Sequence, residues 1–424
     1  MRLLVLGGGG REHAIVWKLA QSSKVTSILC APGNAGIRRE PKTLCVPVDL
    51  KSMDDIVRVA IASSPDLTIV GPEQPLTLGV VDEFERRGWR VFGPSKRAAR
   101  LESSKVFAKE FMDRHHIPTA HYAICTSTKD VEDALPLFTP PIVIKADGLA
   151  AGKGVVIVQS REEAAHTAEE MLSGRMLSGA GARVLLEEFL EGDELSFLCL
   201  SDGKHVAALA PAQDHKRIGE GDTGANTGGM GAYSTDEMLD PAMREWILNH
   251  IARPVIEGME QEGMPFAGIL YCGLMITARG PMVLEFNARF GDPETQPILM
   301  RLDSDLLDAF DAAVEKRVDS LQMKWKTDAA LGVVMASGGY PELFESGKAI
   351  GGLEAADALP GVKVFHAGTA ERDGTVETSG GRVLCVTALG RNLRAAYERA
   401  YEGVTKINFE GVYFRRDIGR KTLS

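Results

Sequence analysis

No apolar run among the 424 residues approaches the roughly 20 that a membrane-spanning helix needs. The N-terminal MRLLVLGGGG gives way to glycine after a short apolar stretch, too soon for a signal-peptide core. Neither membrane insertion nor export is expected. Cysteine is scarce and dispersed: Cys30, Cys45, Cys125, Cys199, Cys272 and Cys385 form no Cys-x-x-Cys pair and have no histidine cluster beside them. That pattern argues against a structural zinc site or a disulfide framework and suits a reducing, cytoplasmic setting. Positive charge is in deficit, with 48 basic against 58 acidic residues and a formal net charge of -10. Such a surface repels a phosphate backbone, so nucleic acid is not expected as a partner. Low-complexity segments and short-period repeats are missing as well. What remains is a globular composition, 44% hydrophobic and 25% charged, with 45 glycines and 20 prolines spread along the chain. The length suggests two to four domains.

Residues 1 to about 100 alternate short apolar runs (Leu3 to Leu6, Val25 to Cys30, Leu67 to Val70, Arg90 to Phe92) with helical patterns such as Glu12 to Ala20 and Met53 to Ala62. Ser52, with Asp55 three residues on, reads as the cap of the second helix. This alternation predicts a parallel sheet with crossover helices. Three of its strands end in glycine-bearing turns, Gly7 to Gly10, Gly71-Pro72-Glu73 and Gly93-Pro94-Ser95, where open α/β sheets bind ligands. A helical stretch, Lys96 to His116, leads to a smaller unit from about Tyr122. There a strand (Pro141 to Lys145), a glycine-rich turn (Asp147 to Gly154), a strand (Val155 to Val158), a helix from about Glu162 and a strand (Ala182 to Glu187) follow one another. Leu195 to Trp325 reads as a larger mixed unit. From about Thr327 come short β-like runs and a helix near Leu393 to Tyr401.

Five stretches carry possible chemistry. GGGGREHA (Gly7 to Ala14) is not a dinucleotide fingerprint, because the position of the third glycine holds Glu12 or His13 and no acid caps the second strand. Its amides at a helix N-terminus could hold an anion such as a sugar phosphate, or it is a tight turn with no ligand. Lys145 ends an apolar strand, where a lysine pointing inward must meet an anion. Lys153 lies in DGLAAGKG, which is not a Walker A loop but could fold over phosphates as a lid; a plain exposed hairpin is the alternative. VLLEEFLEGDELSF (Val184 to Phe197) could present backbone groups to an adenine edge and Glu194 to ribose hydroxyls, unless its acids are simply solvated. In MVLEFNARFGDPETQP (Met282 to Pro297), Glu285, Asn287 and Arg289 alternate on one strand face. Two oxygen donors there suit a hard cation such as Mg2+ and the arginine suits a carboxylate. Finally, the glycine-rich Pro211 to Ser234 carries Asp214, His215, Lys216 and Arg217 on what is predicted to be a long polar loop, functional or solvated.

Taken in order, GGGGREHA, GPEQPL, VIKADGLAAGKGV, LLEEFLEGDELS, QDHKRIGEGDTGANTGGMGAYS and LEFNARFGDPETQ resemble the glycinamide ribonucleotide synthetases, over nearly the whole chain. The resemblance implies an α/β ATP-grasp ligase. Its parts would be an N-terminal Rossmann-like domain (1–102), a connecting helix of the central domain (103–121), a small lid domain (122–193), a central ATP-grasp domain (194–326) and a β-rich C-terminal domain (327–424). It also implies a reaction, the joining of glycine to 5-phosphoribosylamine with ATP as co-substrate through glycyl phosphate.

By the same resemblance, Lys105 and Lys145 would contact ATP phosphates, Gly152, Lys153 and Gly154 would belong to the lid of the ATP site, Glu187, Glu188, Phe189 and Leu190 would meet adenine, and Glu194 ribose. Glu285 and Asn287 would hold Mg2+ or Mn2+. Arg289, Asp292, Asp214 and Gly229 would surround glycine, with Lys216 and Arg217 nearby. Gly9, Gly10, Arg11, Glu12, Gly71, Pro72 and Glu73 would face phosphoribosylamine. Lys145, Arg289 and Asp292 are the implied catalytic groups. Many ATP-grasp relatives place a further metal-binding acid on the preceding strand; here that strand reads ILYCGLMI, Ile269 to Ile276, which leaves the metal count open. Small-molecule partners only are expected, with a monomer as one possible state. Another ATP-grasp ligase or carboxylase of purine metabolism, or a non-catalytic nucleotide sensor, would share many of these features.

Overall fold

The computed structural model describes residues 1–148, 154–175 and 183–423. The N-terminal sheet is parallel, in the order Thr43–Cys45, Ser27–Pro32, Arg2–Gly7, Leu67–Val70, Val91–Phe92. Its central strands are buried on both faces, which is why they read as continuous apolar runs. Leu4 and Leu6 pack towards Phe84, Phe111 and Phe266, while Leu3 and Val5 pack towards Ile15 and Phe310. The strand order reverses at Arg2–Gly7 and Leu67–Val70, so the turns after Gly7 and Val70 open at the switch point of the sheet. Ser52 caps the helix Met53–Ser63 by accepting from the Asp55 amide, as its sequence predicts.

The stretch expected as one helix over Lys96 to His116 is two, Arg100–Ser103 and Lys105–Arg114. Ser104 breaks it with an extended backbone and caps the second helix by accepting from Phe107 N at 3.1 Å. The break sets Lys105 at the first turn of a new helix.

Two antiparallel sheets follow. The smaller runs Tyr122–Cys125, Val184–Glu188, Ile142–Ala146, Val155–Val158, with helices Thr128–Ala134 and Arg161–Leu172 packed against it. The larger runs Val206–Ala208, Asp193–Asp202, Ala267–Thr277, Gly280–Asn287.

The predicted long loop at Pro211 to Ser234 is instead folded. Arg217–Gly219 pairs with Thr223–Asn226 across a turn that uses positive φ at Gly221 and Asp222, and Gly231–Ser234 is a fully buried strand. That strand joins a C-terminal sheet, Gln213–Asp214, Gly231–Ser234, Ala329–Ala336, Arg382–Gly390, Val362–His366. Much of the glycine richness thus serves turns and close strand contacts. The helix Leu393–Lys406 covers this sheet with Leu393, Ala396, Ala400 and Val404, spaced three or four apart on one face. Among the described residues no helix is long and apolar enough to cross a membrane.

Candidate active site

The floor of the site is the strand Gly280–Asn287 and its continuation. Phe286, Ala288 and Phe290 point into the core, so Glu285, Asn287 and Arg289 turn to the other face. Register slips at Gly273–Leu274 on the neighbouring strand, and the Leu284 carbonyl accepts from Lys145 Nζ at 3.0 Å. Burial opposes ionisation of Glu285, yet Lys216, Lys145, Lys105 and Arg289 together hold its carboxyl below the usual range. Among the described residues neither Glu285 nor Asn287 makes a side-chain hydrogen bond or ion pair. An ionised carboxylate and an amide oxygen on one strand face, neither with a protein hydrogen bond or ion pair among the described residues, fit a hard cation such as magnesium. Opposite Glu285 stands Gly273, so the adjoining strand offers no acid at that register. No group of three or more possible metal-binding side chains occurs among the described residues.

Beside this strand lies a cavity of about 710 Å³, walled by Val143, Val155, Ile157, Met275 and Leu284 and by Phe189 and Leu190. Glu187 is buried and its Oε2 sits 2.9 Å from Lys109 Nζ and 3.0 Å from Lys145 Nζ. Burial pushes the Lys109 ammonium down to about 8, with Glu187 resisting. Oε1 of Glu187 is buried without a hydrogen bond. Glu188 also lines the cavity and is held 2.5 Å from Arg279. Lys105 donates to the Gly148 carbonyl at 3.0 Å, and burial lowers its pKa. Asp147 ties the glycine-rich turn to the Lys105 helix through Val106 N at 3.2 Å and to Arg183 at 2.6 Å. Gly154 accepts from Ala146 N at 2.9 Å. Gly152 and Lys153, and with them most of the expected lid, lie outside the described residues. Glu194 holds Lys216 Nζ at 2.8 Å, and Arg217 donates to the Gly224 carbonyl at 2.8 Å.

A second cavity, about 770 Å³, adjoins the first and shares Lys145, Lys216, Asp214 and Glu285 with it, among others. Arg289 is fixed there between Glu102 at 2.8 Å and Glu73 at 3.3 Å. Glu102 also accepts from the Ala288 amide at 2.8 Å, and its burial raises its pKa despite Arg289. Asp214 is likewise pushed up, by burial first, with Glu294, Glu194 and Glu285 adding to it against Lys216. Behind it Glu294 accepts from Tyr271 at 2.8 Å and Ser196 at 3.1 Å.

The switch-point turns meet this cavity. Arg11 lines it, donating to the Phe290 carbonyl at 3.1 Å and to Glu12 at 2.6 Å. Glu12 is itself buried; it accepts from the Gly9 amide at 2.7 Å and fills the space beneath Gly7 and Gly71. Pro72 precedes the short helix Glu73–Leu78, which places Glu73 in the cavity. Gly10 packs so close to the Asp292 turn that a Cβ there would lie 2.6 Å from Gln296 Nε2. Gly229 faces Pro293 across the same turn.

Most of the described residues of the predicted set line this double cleft, Glu188 and Arg217 while also bound to protein partners; Gly9, Gly10, Glu12, Gly71, Pro72, Gly154 and Gly229 line neither cavity, and Gly152 and Lys153 lie outside the described residues. Lys109, Glu102 and Arg382 were not singled out from sequence. Lys109 could have been found, being one helical turn after Lys105 on the same face. Nothing local marks the other two.

Two antiparallel sheets that grip a lysine-lined cleft from either side, joined to the switch point of a parallel sheet, make an ATP-grasp enzyme. The chain belongs to the phosphoribosylglycinamide synthetase family, whose N domain, ATP-grasp (A) domain and C domain models match residues 1–102, 103–295 and 330–421. It is 48% identical to phosphoribosylamine–glycine ligases of Vibrio parahaemolyticus and Pseudomonas aeruginosa, over 100% of this chain and 99% of each of theirs. A crystal structure of phosphoribosylamine–glycine ligase from Thermotoga maritima is 35% identical and superposes with a TM-score of 0.83, covering 99% of this chain and 100% of the other. A biotin carboxylase domain from Hydrogenobacter thermophilus, 16% identical with a TM-score of 0.73 over 97% of this chain and 91% of its own, shares the fold.

Proposed function

We propose that this chain joins glycine to 5-phosphoribosylamine with ATP, giving glycinamide ribonucleotide, ADP and phosphate, as a cytoplasmic ligase of purine synthesis. The observation that carries it is the strand face Glu285, Asn287, Arg289 set against Lys105 and Lys145, where the two cavities meet. A nucleotide would lie in the first cavity, its base against Phe189 and Leu190, its ribose by Glu194 and its phosphates at Lys145 and Lys105. Glycine would take the shared region by Arg289, Asp214 and Gly229. Phosphoribosylamine would lie towards Gly9, Gly10, Arg11 and Gly71 to Glu73, where helix-terminal amides suit its phosphate.

A carboxylate is a poor acyl donor because oxide is its leaving group. Phosphoryl transfer from ATP to the glycine carboxylate would make glycyl phosphate, and attack by the amine of phosphoribosylamine would release phosphate. Arg289, held by Glu73 and Glu102, orients the carboxylate, and Lys105 and Lys145 face the charge that builds on the transferred phosphoryl oxygens. Glu285 and Asn287 would hold Mg2+ or Mn2+, which when bound neutralises phosphate charge. Coupled ADP release with glycine, with other amino acids and with phosphoribosylamine generated in place tests the reading. ADP released only with glycine and phosphoribosylamine together is the expected result; equal release with another carboxylate, or none with any, overturns it.

A further inference from the structure

The strand Arg382–Gly390 of the C-terminal sheet reaches the cleft through its first side chain. Arg382, first residue of the strand Arg382–Gly390, donates from Nη1 to the Gly228 carbonyl at 2.5 Å and the Asp292 carbonyl at 2.6 Å. Its Nη2 lies 3.2 Å from Asp292 Oδ2. A second C-terminal group supports the same turn, since the Tyr340 hydroxyl accepts from Gly228 N at 3.1 Å. The fit is close: a Cβ on Gly228 would lie 3.0 Å from Arg382 Cζ, and one on Gly229 would lie 2.4 Å from Pro293 Cδ. On its other oxygen Asp292 accepts from Gln296 at 2.9 Å. The carboxylate is thereby aimed at the cavity by two partners from different parts of the chain.

We propose that Arg382 is a positioning residue of the ligase reaction, holding the Asp292 carboxylate and the Gly228–Gly229 turn in place, so that the C-terminal sheet completes the end of the cleft away from the nucleotide. This rests on the function proposed above. Asp292 is faced by Arg382, by Arg11 from the first helix, by Arg289 and by the Cys385 thiol on the Arg382 strand, while Glu294 acts on Arg289 and Arg382. Burial opposes its ionisation, and Arg382 leads the groups that hold it below the usual carboxylate range. Removing Arg382 therefore raises the Asp292 pKa, and the acid limb of a rate profile that needs the carboxylate moves to higher pH.

The test is steady-state kinetics of the full-length Arg382→Gln and Arg382→Lys proteins. Arg382→Gln should lose about 10^2-fold in kcat/KM for glycine and phosphoribosylamine, the scale of a misplaced reacting group. KM for ATP should stay at the wild-type value, and the acid limb should rise. Arg382→Lys, which keeps the charge, should bring the acid limb back towards wild type. Unchanged kinetics, a loss shared equally by ATP, or an unmoved acid limb each overturns the proposal. Should Arg382→Gln fail to fold, Arg382→Lys on an Asp292→Asn background decides: a double variant no worse than Asp292→Asn supports the coupling, and additive losses refute it. If wild type is inactive with glycine the proposed function fails, whereas an active wild type with unaffected variants removes only the role of Arg382.

Discussion

Glu285→Gln isolates charge from packing. The side chain makes no hydrogen bond or ion pair among the described residues, and the amide is nearly isosteric, so the strand should keep its place: Phe286 still fills the core on the other face. What disappears is one negative charge in a field set by Lys216, Lys145, Lys105 and Arg289. In the loaded enzyme that charge would face a divalent cation and the nucleotide phosphates. Loss of one preorganised charge-stabilising contact typically costs about 10^2 to 10^3 in rate, or ~2.7–4 kcal/mol in the barrier. Folding stability should move far less, by roughly 0.5–1 kcal/mol, because no cavity and no orphaned partner is created. The assay is kcat at saturating substrates across a magnesium titration, beside a urea melt of the same preparation. Near-wild-type kcat at ordinary magnesium would refute the assignment of Glu285 as a metal ligand. A loss of activity matched by loss of folded protein would refute the separation of charge from packing.

Three further outcomes are expected. Glycine labelled with heavy oxygen in its carboxylate should pass label to inorganic phosphate during full turnover, since the bridging oxygen of glycyl phosphate leaves with phosphate; amide product with unlabelled phosphate would exclude that intermediate. Glu187→Gln should cost about 3–5 kcal/mol in a urea melt, because Lys109 and Lys145 would be left buried with no carboxylate between them. An unchanged midpoint would show that the pair is not held by that charge. Gly229→Ala should lower stability by about 1–3 kcal/mol and slow turnover, as φ is +110° and the new methyl would press on Pro293; a fully active, equally stable variant would contradict this.

Much of this architecture was readable in the sequence where a local rule had only one outcome. The apolar runs of the parallel sheet, the Ser52 cap and the alternation of Glu285, Asn287 and Arg289 needed no knowledge of the rest of the chain. The helix break at Ser104 was missed because a serine followed by helix-forming residues is compatible with an uninterrupted helix, and tertiary contacts with Asp147 favour the cap. Pro211 to Ser234 was misread as a loop because its glycines look the same whether they serve a turn, a close strand contact or an open coil. Glu102 and Arg382 were invisible for a different reason. Each acts on a partner far along the chain, Arg382 on a residue 90 positions earlier, and no spacing rule reaches that distance.

The strand Gly231–Ser234 pairs with Gln213–Asp214 on one edge, yet its neighbour on the other is Ala329–Ala336, nearly a hundred residues later, which in turn pairs with Arg382–Gly390. During synthesis the ribosome delivers the residues proposed to face the nucleotide long before the strands that hold this pair in place. A nascent chain stopped before Ala329 would carry Lys105, Lys145 and Glu285 but would lack the sheet that fixes Asp214 and its turn. Catalytic competence should therefore emerge late and abruptly in translation, as the last closing of a long-range contact, rather than accrue domain by domain.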